Sequence, residues 1–384
     1  MFWETKSSFS VQPKYGVISF SNYLHIIFVL FLLPFTLALE AIRTFLGLTE
    51  SISPAYTSKP RKRRIGDALI RSSFPALTAP EVQWVMGSGL DVYQKWTKQY
   101  KMVPTVDYLD CGEGVGTHLL WIGPKRTDKV ILYCPGGAYF YPVQEQMLKF
   151  WRYAQMEWEK QGLNIGIAVL LYSVLPEGEF PTQLRQATRA IEYLHSIGCE
   201  PSNIQLVGDS AGGNLVSQVL SHILHPLPSI PPLNLPSSTR FRGAYMMSPW
   251  VSLVDSDQWG DSFHAKAYYD IAKGVENLGP IYLAHVPSSF TPYAEPVRAP
   301  DDWFAGLDDV VDRIMVSTGD EERLRDQDVV FYEKMKEHHG NAVLEVQDGG
   351  LHDDPIMDFF LSEVPLENTL TPIVLEWIAK GFKG

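Results

Sequence analysis

Along most of this chain, short apolar runs alternate with longer stretches in which apolar residues recur every three or four positions. The short runs predict strands at Thr105 to Leu109, His118 to Ile122, Val130 to Cys134, Ile165 to Tyr172, Ile204 to Val207, Gly243 to Met247, Ile314 to Thr318 and Val343 to Val346. The first two read as a hairpin turning through Gly112, Gly114 and Gly116. Helical spacing covers Gly66 to Met102, Glu145 to Gln161, Gln183 to Ile197, Asn214 to Leu220, Asp326 to His338 and Asn368 to Ala379. Strands alternating with helices in this way predict a mostly parallel, doubly wound α/β sheet. Two segments break the rhythm. His225 to Arg240 is rich in proline and reads as a loop, and Asp255 to Pro300 reads as an insertion over the sheet edge, helical around His264 to Ala272.

The N-terminus follows a different pattern. Val17 to Leu39 carries no charged residue. As a helix it reaches about 34 Å, against roughly 30 Å of bilayer hydrocarbon. A cleaved signal peptide has a shorter apolar core and small residues before the cut, whereas Glu40 follows this run. The expectation is an uncleaved single-pass anchor, with a signal peptide and a surface helix as the other readings. The chain then divides into a tail and anchor at 1–45, a basic linker with helices at 46–104, and a catalytic domain at 105–384 with its insertion at about 255–300. The cluster Arg61 to Arg64 reads as a solvated linker that also touches anionic head groups. By the positive-inside rule it favours the cytosolic side for the catalytic domain, at the edge of the distance over which the rule counts charges.

Composition narrows the function. With 384 residues, 45% of them hydrophobic, the chain can bury a large core. A net charge of −12 argues against nucleic acid as a partner. Cys111, Cys134 and Cys199 have no zinc-binding spacing and cannot all pair, so neither a metal site nor a disulfide framework is expected.

Candidate chemistry begins after the strand Ile204 to Val207. Gly208-Asp209-Ser210-Ala211-Gly212 is a G-x-S-x-G run between strand and helix, the setting of a nucleophile elbow. A turn that tight excludes side chains at Gly208 and Gly212 and leaves the Ser210 hydroxyl at the positive end of the following helix. A second glycine-rich turn, Pro135-Gly136-Gly137-Ala138, follows the strand ending at Cys134. Backbone N–H groups of Gly137 and Ala138, joined by that of Ala211, are suited to hold an oxyanion. The expected base is His352, in the loop Gly349 to Asp353 beyond the last strand. His338 and His339 read as solvated on a charged helix, and His195, His222 and His225 lie near helix ends. The acid that orients the base must come from Asp320-Glu321-Glu322-Arg323-Leu324-Arg325-Asp326, after the strand Ile314 to Thr318. Asp326 reads as a helix cap, and local physics leaves Asp320 and Glu322 nearly equal.

From Thr105 onward the chain resembles the hormone-sensitive-lipase branch of the α/β-hydrolases. The branch's G-D-S-A-G-G-N-L elbow matches Gly208 to Leu215 without change, and its Y-R-L-A-P-E-x-x-F-P stretch resembles Tyr172 to Pro181. Its H-G-G-G motif falls on Pro135 to Ala138, where two side chains differ but the donating backbone is kept. Its D-P-L-R-D motif falls on Glu322 to Asp326, which makes Glu322 the acid implied by the resemblance. An anchor ahead of such a domain is similar to arylacetamide deacetylases and fungal steryl acetyl hydrolases. The resemblance implies an α/β-hydrolase fold with a helical cap built from 66–102 and 255–300, attached to the endoplasmic reticulum or another endomembrane. It implies a Ser210-His352-Glu322 triad cleaving a lipophilic small-molecule ester, such as an acetylated one, without cofactor. An amidase or formamidase using the same triad, and a ligand-binding protein on a hydrolase scaffold, are the competing readings.

Overall fold

The structure is a computed structural model that describes residues 14–45, 56, 58–112, 114–233, 239–254, 270–272, 274–367 and 369–383. Eight strands form one sheet: β1 Thr105–Asp110, β2 Gly116–Trp121, β3 Val130–Cys134, β4 Gly166–Leu171, β5 Ile204–Asp209, β6 Gly243–Met247, β7 Ile314–Gly319 and β8 Ala342–Gln347. Their spatial order is β1-β2-β4-β3-β5-β6-β7-β8. β1 pairs antiparallel with β2, and β2 antiparallel with β4; every pair from β4 across to β8 is parallel. The predicted strands agree with this to within one or two residues at their ends.

The central strands are buried on both faces, which is why they read as continuous apolar runs rather than alternating ones. In β3, Val130, Leu132 and Cys134 face one core, and Ile131 and Tyr133 the other. The first core is closed by α6 Thr182–Ser196 and α7 Ala211–Leu224, and the second by α4 Gly89–Gln99, α5 Glu145–Lys160 and α11 Thr371–Lys383. The helix after β3 therefore lies on one face and the helix after β5 on the other. These strands are neighbours, with Cys134 paired to Gly208, so their C-terminal ends open the crevice of a topological switch point.

The stretch 66–102, expected as helical, is three helices with breaks. α2 Arg61–Ser73 begins earlier than expected; α3 Ala79–Met86 starts at a Thr78–Glu81 capping box, and α4 starts at Ser88. Pro75 and Pro80 fit only first-turn positions, and Gly87 takes a positive φ of 72° that ends α3. Arg61 to Arg64 is not a solvated linker. Arg61 and Lys62 are exposed, but Arg63 is buried against Asp67, Asp354 and Asp358, with Lys59 beside it on Asp354 at 2.7 Å. Those carboxylates lie far ahead in the sequence, so the linker reading had no local signal against it.

Preceding α2, α1 spans Phe20–Phe45 and packs against α2 and α3. Its stretch Phe20–Leu39 is long and apolar enough to cross a membrane by length and composition. Of the insertion at 255–300, residues 255–269, including most of the expected helical patch, lie outside the described residues; 270–272 form a turn rather than a helix. Beyond them come α8 Gly279–Leu283 and α9 Thr291–Ala294.

Candidate active site

The elbow places Ser210 directly between β5 and α7, with φ 49° and ψ −120°. A non-glycine residue with positive φ is strained by about 1–3 kcal/mol and persists only where its surroundings hold it. Here the Ser210 N–H donates to the Met247 carbonyl at 2.9 Å, and the Ser210 carbonyl accepts from Asn214 and Trp250. A Cβ on Gly208 would sit 2.2 Å from the Gly212 carbonyl oxygen, and one on Gly212 would sit 1.8 Å from that of Cys134. The second clash shows that Gly212 is required by the neighbouring strand as much as by the turn.

Beside it, the loop after β3 runs through three successive positive φ angles: Gly137 at 126°, Ala138 at 54° and Tyr139 at 63°. Asp209 props this loop from below: its Oδ1 accepts from the Gly136 N–H at 2.9 Å and from the Tyr133 hydroxyl at 2.5 Å. Tyr172 donates to the Pro135 carbonyl, and Tyr139 to Asn214 Oδ1 while stacking on Tyr282 at 4.3 Å. Among the described residues, the N–H groups of Gly137, Ala138 and Ala211 donate to no other protein group. They are free to bind an anion.

Glu322 and His352 meet across the ends of β7 and β8. His352 Nδ1 lies 2.6 Å from Glu322 Oε1. The other carboxylate oxygen of Glu322 accepts from Ser248 Oγ, Thr318 Oγ1 and the Gly319 N–H at 2.8–2.9 Å. Three donors on one oxygen hold this buried carboxylate in place. Asp320, the competing acid, engages Gln347 and Arg325 through its backbone. Asp326 does not cap the following helix: α10 Arg325–Lys336 starts from Leu324, and Asp326 is in its first turn. His339 is buried rather than solvated, its Nε2 2.8 Å from the Val311 carbonyl.

Three residues at the site carried no sequence signal. Ser248, at φ 43°, donates to Glu322 and accepts from the Asp353 N–H. Asp353 Oδ2 lies 3.3 Å from His352 Nε2. Asp270, fully buried, accepts the His352 N–H through Oδ1 at 3.0 Å and the Arg323 N–H through Oδ2 at 2.9 Å. Burial works to lower the His352 pKa, but Asp353 and Glu322 outweigh it and hold the imidazole well above its usual range.

Ser210, His352, Gly137 and Ala138 line one cavity of about 190 Å³. Its walls are otherwise largely apolar, with Ile70 from α2, Phe74 just beyond the end of α2, Met86 from α3, Tyr141, Val275 and Phe360. Among the described residues, no three His, Cys, Asp or Glu side chains are placed to hold a metal ion.

Residues 160–354 match a family model described as the alpha/beta hydrolase fold. A protein of Streptomyces hygroscopicus called an acetyl-hydrolase is 30% identical over 142 residues, which is 35% of this chain and 40% of that protein's length. Among solved structures, an esterase from the bacterial hormone-sensitive lipase family covers 84% of this chain and 99% of its own, at 24% identity and a TM-score of 0.60. A thermostable esterase from Pseudomonas putida covers 86% and 97%, at 18% identity and a TM-score of 0.62. At those identities the solved structures bear on the fold alone. The family match covers half the chain and contains Ser210, Glu322 and His352. The chain belongs to the α/β-hydrolase fold family.

Proposed function

We propose that this protein is a serine carboxylester hydrolase using Ser210, His352 and Glu322. The observation that carries it is the 2.6 Å bond from His352 Nδ1 to a fully satisfied Glu322, on the rim of a cavity that Ser210 also lines. Ser210 Oγ attacks the ester carbonyl while His352 Nε2 takes its proton. The carbonyl π electrons move to oxygen, and the N–H groups of Gly137, Ala138 and Ala211 receive the oxyanion. Collapse breaks the bond to the alcohol, which leaves with the proton from His352, and water then hydrolyses the acyl-enzyme by the same steps in reverse roles. Glu322 holds the imidazole in the Nδ1–H tautomer and stabilises the imidazolium.

The substrate proposed is a lipophilic ester with a short acyl group. A cavity of about 190 Å³ accommodates an acetyl or similarly short group against its apolar walls, and the Streptomyces relative is called an acetyl-hydrolase. The apolar helix ahead of the domain supports attachment to a membrane, as in the arylacetamide deacetylases and steryl acetyl hydrolases that the sequence resembles. On this reading α2 to α4 and the segment around Ile271 to Val275 act as the cap over the site. Ser210→Ala, with unchanged circular dichroism, is expected to lose covalent labelling by a fluorophosphonate and about 10⁴-fold in p-nitrophenyl acetate hydrolysis. Undiminished turnover in the folded variant would remove this site as the catalytic one.

A further inference from the structure

α1 has two opposite faces. On one side, at helical spacing, Ile26 is buried and Asn22, Val29, Leu33 and Leu37 are half-buried, while Leu24, Ile27, Phe28, Phe31, Phe35 and Leu39 are exposed on the other. Phe31 and Phe35 are 65% and 64% exposed. Soluble monomers rarely leave a stripe of that kind bare, so something apolar covers it.

Both flanks of α1 are fastened to the hydrolase domain. At the start, Tyr15 Oη donates to the Gly87 carbonyl at 2.9 Å, the Gly16 N–H donates to Gln83 Oε1 at 3.1 Å, and Asn22 Nδ2 donates to Glu81 Oε1 at 2.8 Å. His25 Nδ1 lies 3.0 Å from the same carboxylate, and Tyr23 packs edge-on against Trp84. Gln83 in turn donates to the carbonyls of Phe140 and Leu175, beside the candidate site. After α1, Lys59 and Arg63 are bonded to Asp354 next to His352.

A crossing helix must leave its ends on opposite sides of the membrane. From Ile26 to Phe45, α1 advances about 30 Å, a full hydrocarbon thickness. For Lys59 to reach Asp354 after such a crossing, residues 46–58 would have to return through the bilayer. Their reach of about 44 Å allows it, but they include Glu50 and Pro54, and lipid-exposed chain outside a helix or closed barrel leaves its polar groups unsatisfied. That return path is excluded on chemistry, not on length.

We propose that α1 lies along one leaflet as a monotopic element, its outer stripe sunk among the acyl chains and both flanks on the side of the hydrolase domain. Surface-lying helices ordinarily need a polar face of their own. Here the inward face is covered by α2 and α3, so an uncharged helix can lie flat. Tyr23 and Trp84 sit at its start, where amphipathic rings suit the head-group level, and exposed Arg61 and Lys62 at the start of α2 suit anionic heads. α2 and α3 are also the helices that supply Ile70 and Met86 to the cavity, so the cavity wall stands one helix away from the lipid. This last point rests on the proposed hydrolase function; the position of α1 does not.

The test uses the full chain in sealed microsomes with epitope tags ahead of Lys14, after Glu50 and after Gly384. All three are expected to be cut by protease from the same side. An N-terminal tag protected when the C-terminal tag is cut, or the reverse, overturns the proposal in favour of a single crossing. Purified chain is expected to float with phosphatidylcholine vesicles, more so with phosphatidylserine. Phe28→Asp, Phe31→Asp and Phe35→Asp together should reduce flotation by about tenfold or more while hydrolysis of soluble p-nitrophenyl acetate is kept. A chain that does not float and instead forms a stable dimer, broken by the same substitutions, overturns it by showing that a second copy covers the stripe. Flotation without fluorophosphonate labelling would defeat the hydrolase reading and leave the monotopic one standing.

Discussion

The carboxylate of Asp270 holds the backbone of His352 at 3.0 Å, and its second oxygen holds the backbone of Arg323, next to Glu322, at 2.9 Å. One side chain from the segment between β6 and β7 thus ties the loop of the base to the loop of the acid. Asp270→Asn keeps the shape but aims an amide donor at one of two N–H groups. The expected result is a fall in kcat of about 10²-fold with little change in KM, since displacements near 1 Å at a reacting group cost that much. An equal loss in fluorophosphonate labelling rate, with the folded spectrum kept, would mark a positioning role; unchanged kcat would refute it.

Between the two candidate acids, the geometry favours one. Glu322→Gln is expected to lower kcat/KM by about 10³–10⁴-fold, because the amide no longer stabilises the imidazolium. Asp320→Asn should stay within about fivefold of the parent, since the carboxylate that reaches His352 is that of Glu322. Parallel esterase assays decide it, and a larger loss at Asp320 would reverse the assignment.

The pH profile follows from the sign of the histidine shift. The proposed mechanism needs neutral His352, and Asp353 and Glu322 stabilise the charged form against the opposing effect of burial. The acid limb of kcat/KM, which reports the free enzyme, is therefore expected above the usual histidine range near 6.5. Asp353→Asn removes one of the two carboxylates and should move that limb to lower pH. A limb that stays in place, or moves up, would show that Asp353 does not act on the imidazole.

Arg63 is the buried cation shared by Asp67, Asp354 and Asp358. Burial pushes Asp358 up to about 6, while at Asp354 the same burial is outweighed by Arg63 and Lys59, which hold its carboxyl below the usual range. Removing one partner from a buried ionic cluster costs about 3–5 kcal/mol because the remaining charges lose their compensation. Arg63→Met should lower the urea midpoint accordingly. A chain shortened to begin near Gly66 should be destabilised in the same way, and one beginning at Tyr56 should not; equal midpoints for the two would contradict this account.

Much of this molecule was determined locally. The strands, the helices after β3, the Gly208–Gly212 elbow and the apolar N-terminal run are legible because each depends on near neighbours in the chain: periodicity of two or 3.6, glycine where a Cβ would collide, absence of charge over a bilayer's width. The resemblance supplied Glu322 over Asp320, a choice that local chemistry left open. What only the tertiary structure decided is long-range. Asp270 reaches His352 across 82 positions, and Lys59 and Arg63 reach Asp354 across 295 and 291. A carboxylate or an arginine in a polar stretch reads as solvated until its partner is known, because the same residue is stable in water or in a buried pair. The N-terminal helix has the same dependence. Its length and composition suit a crossing, and it is the fastening of both its flanks to one domain that supports the proposal of a helix lying along a leaflet instead.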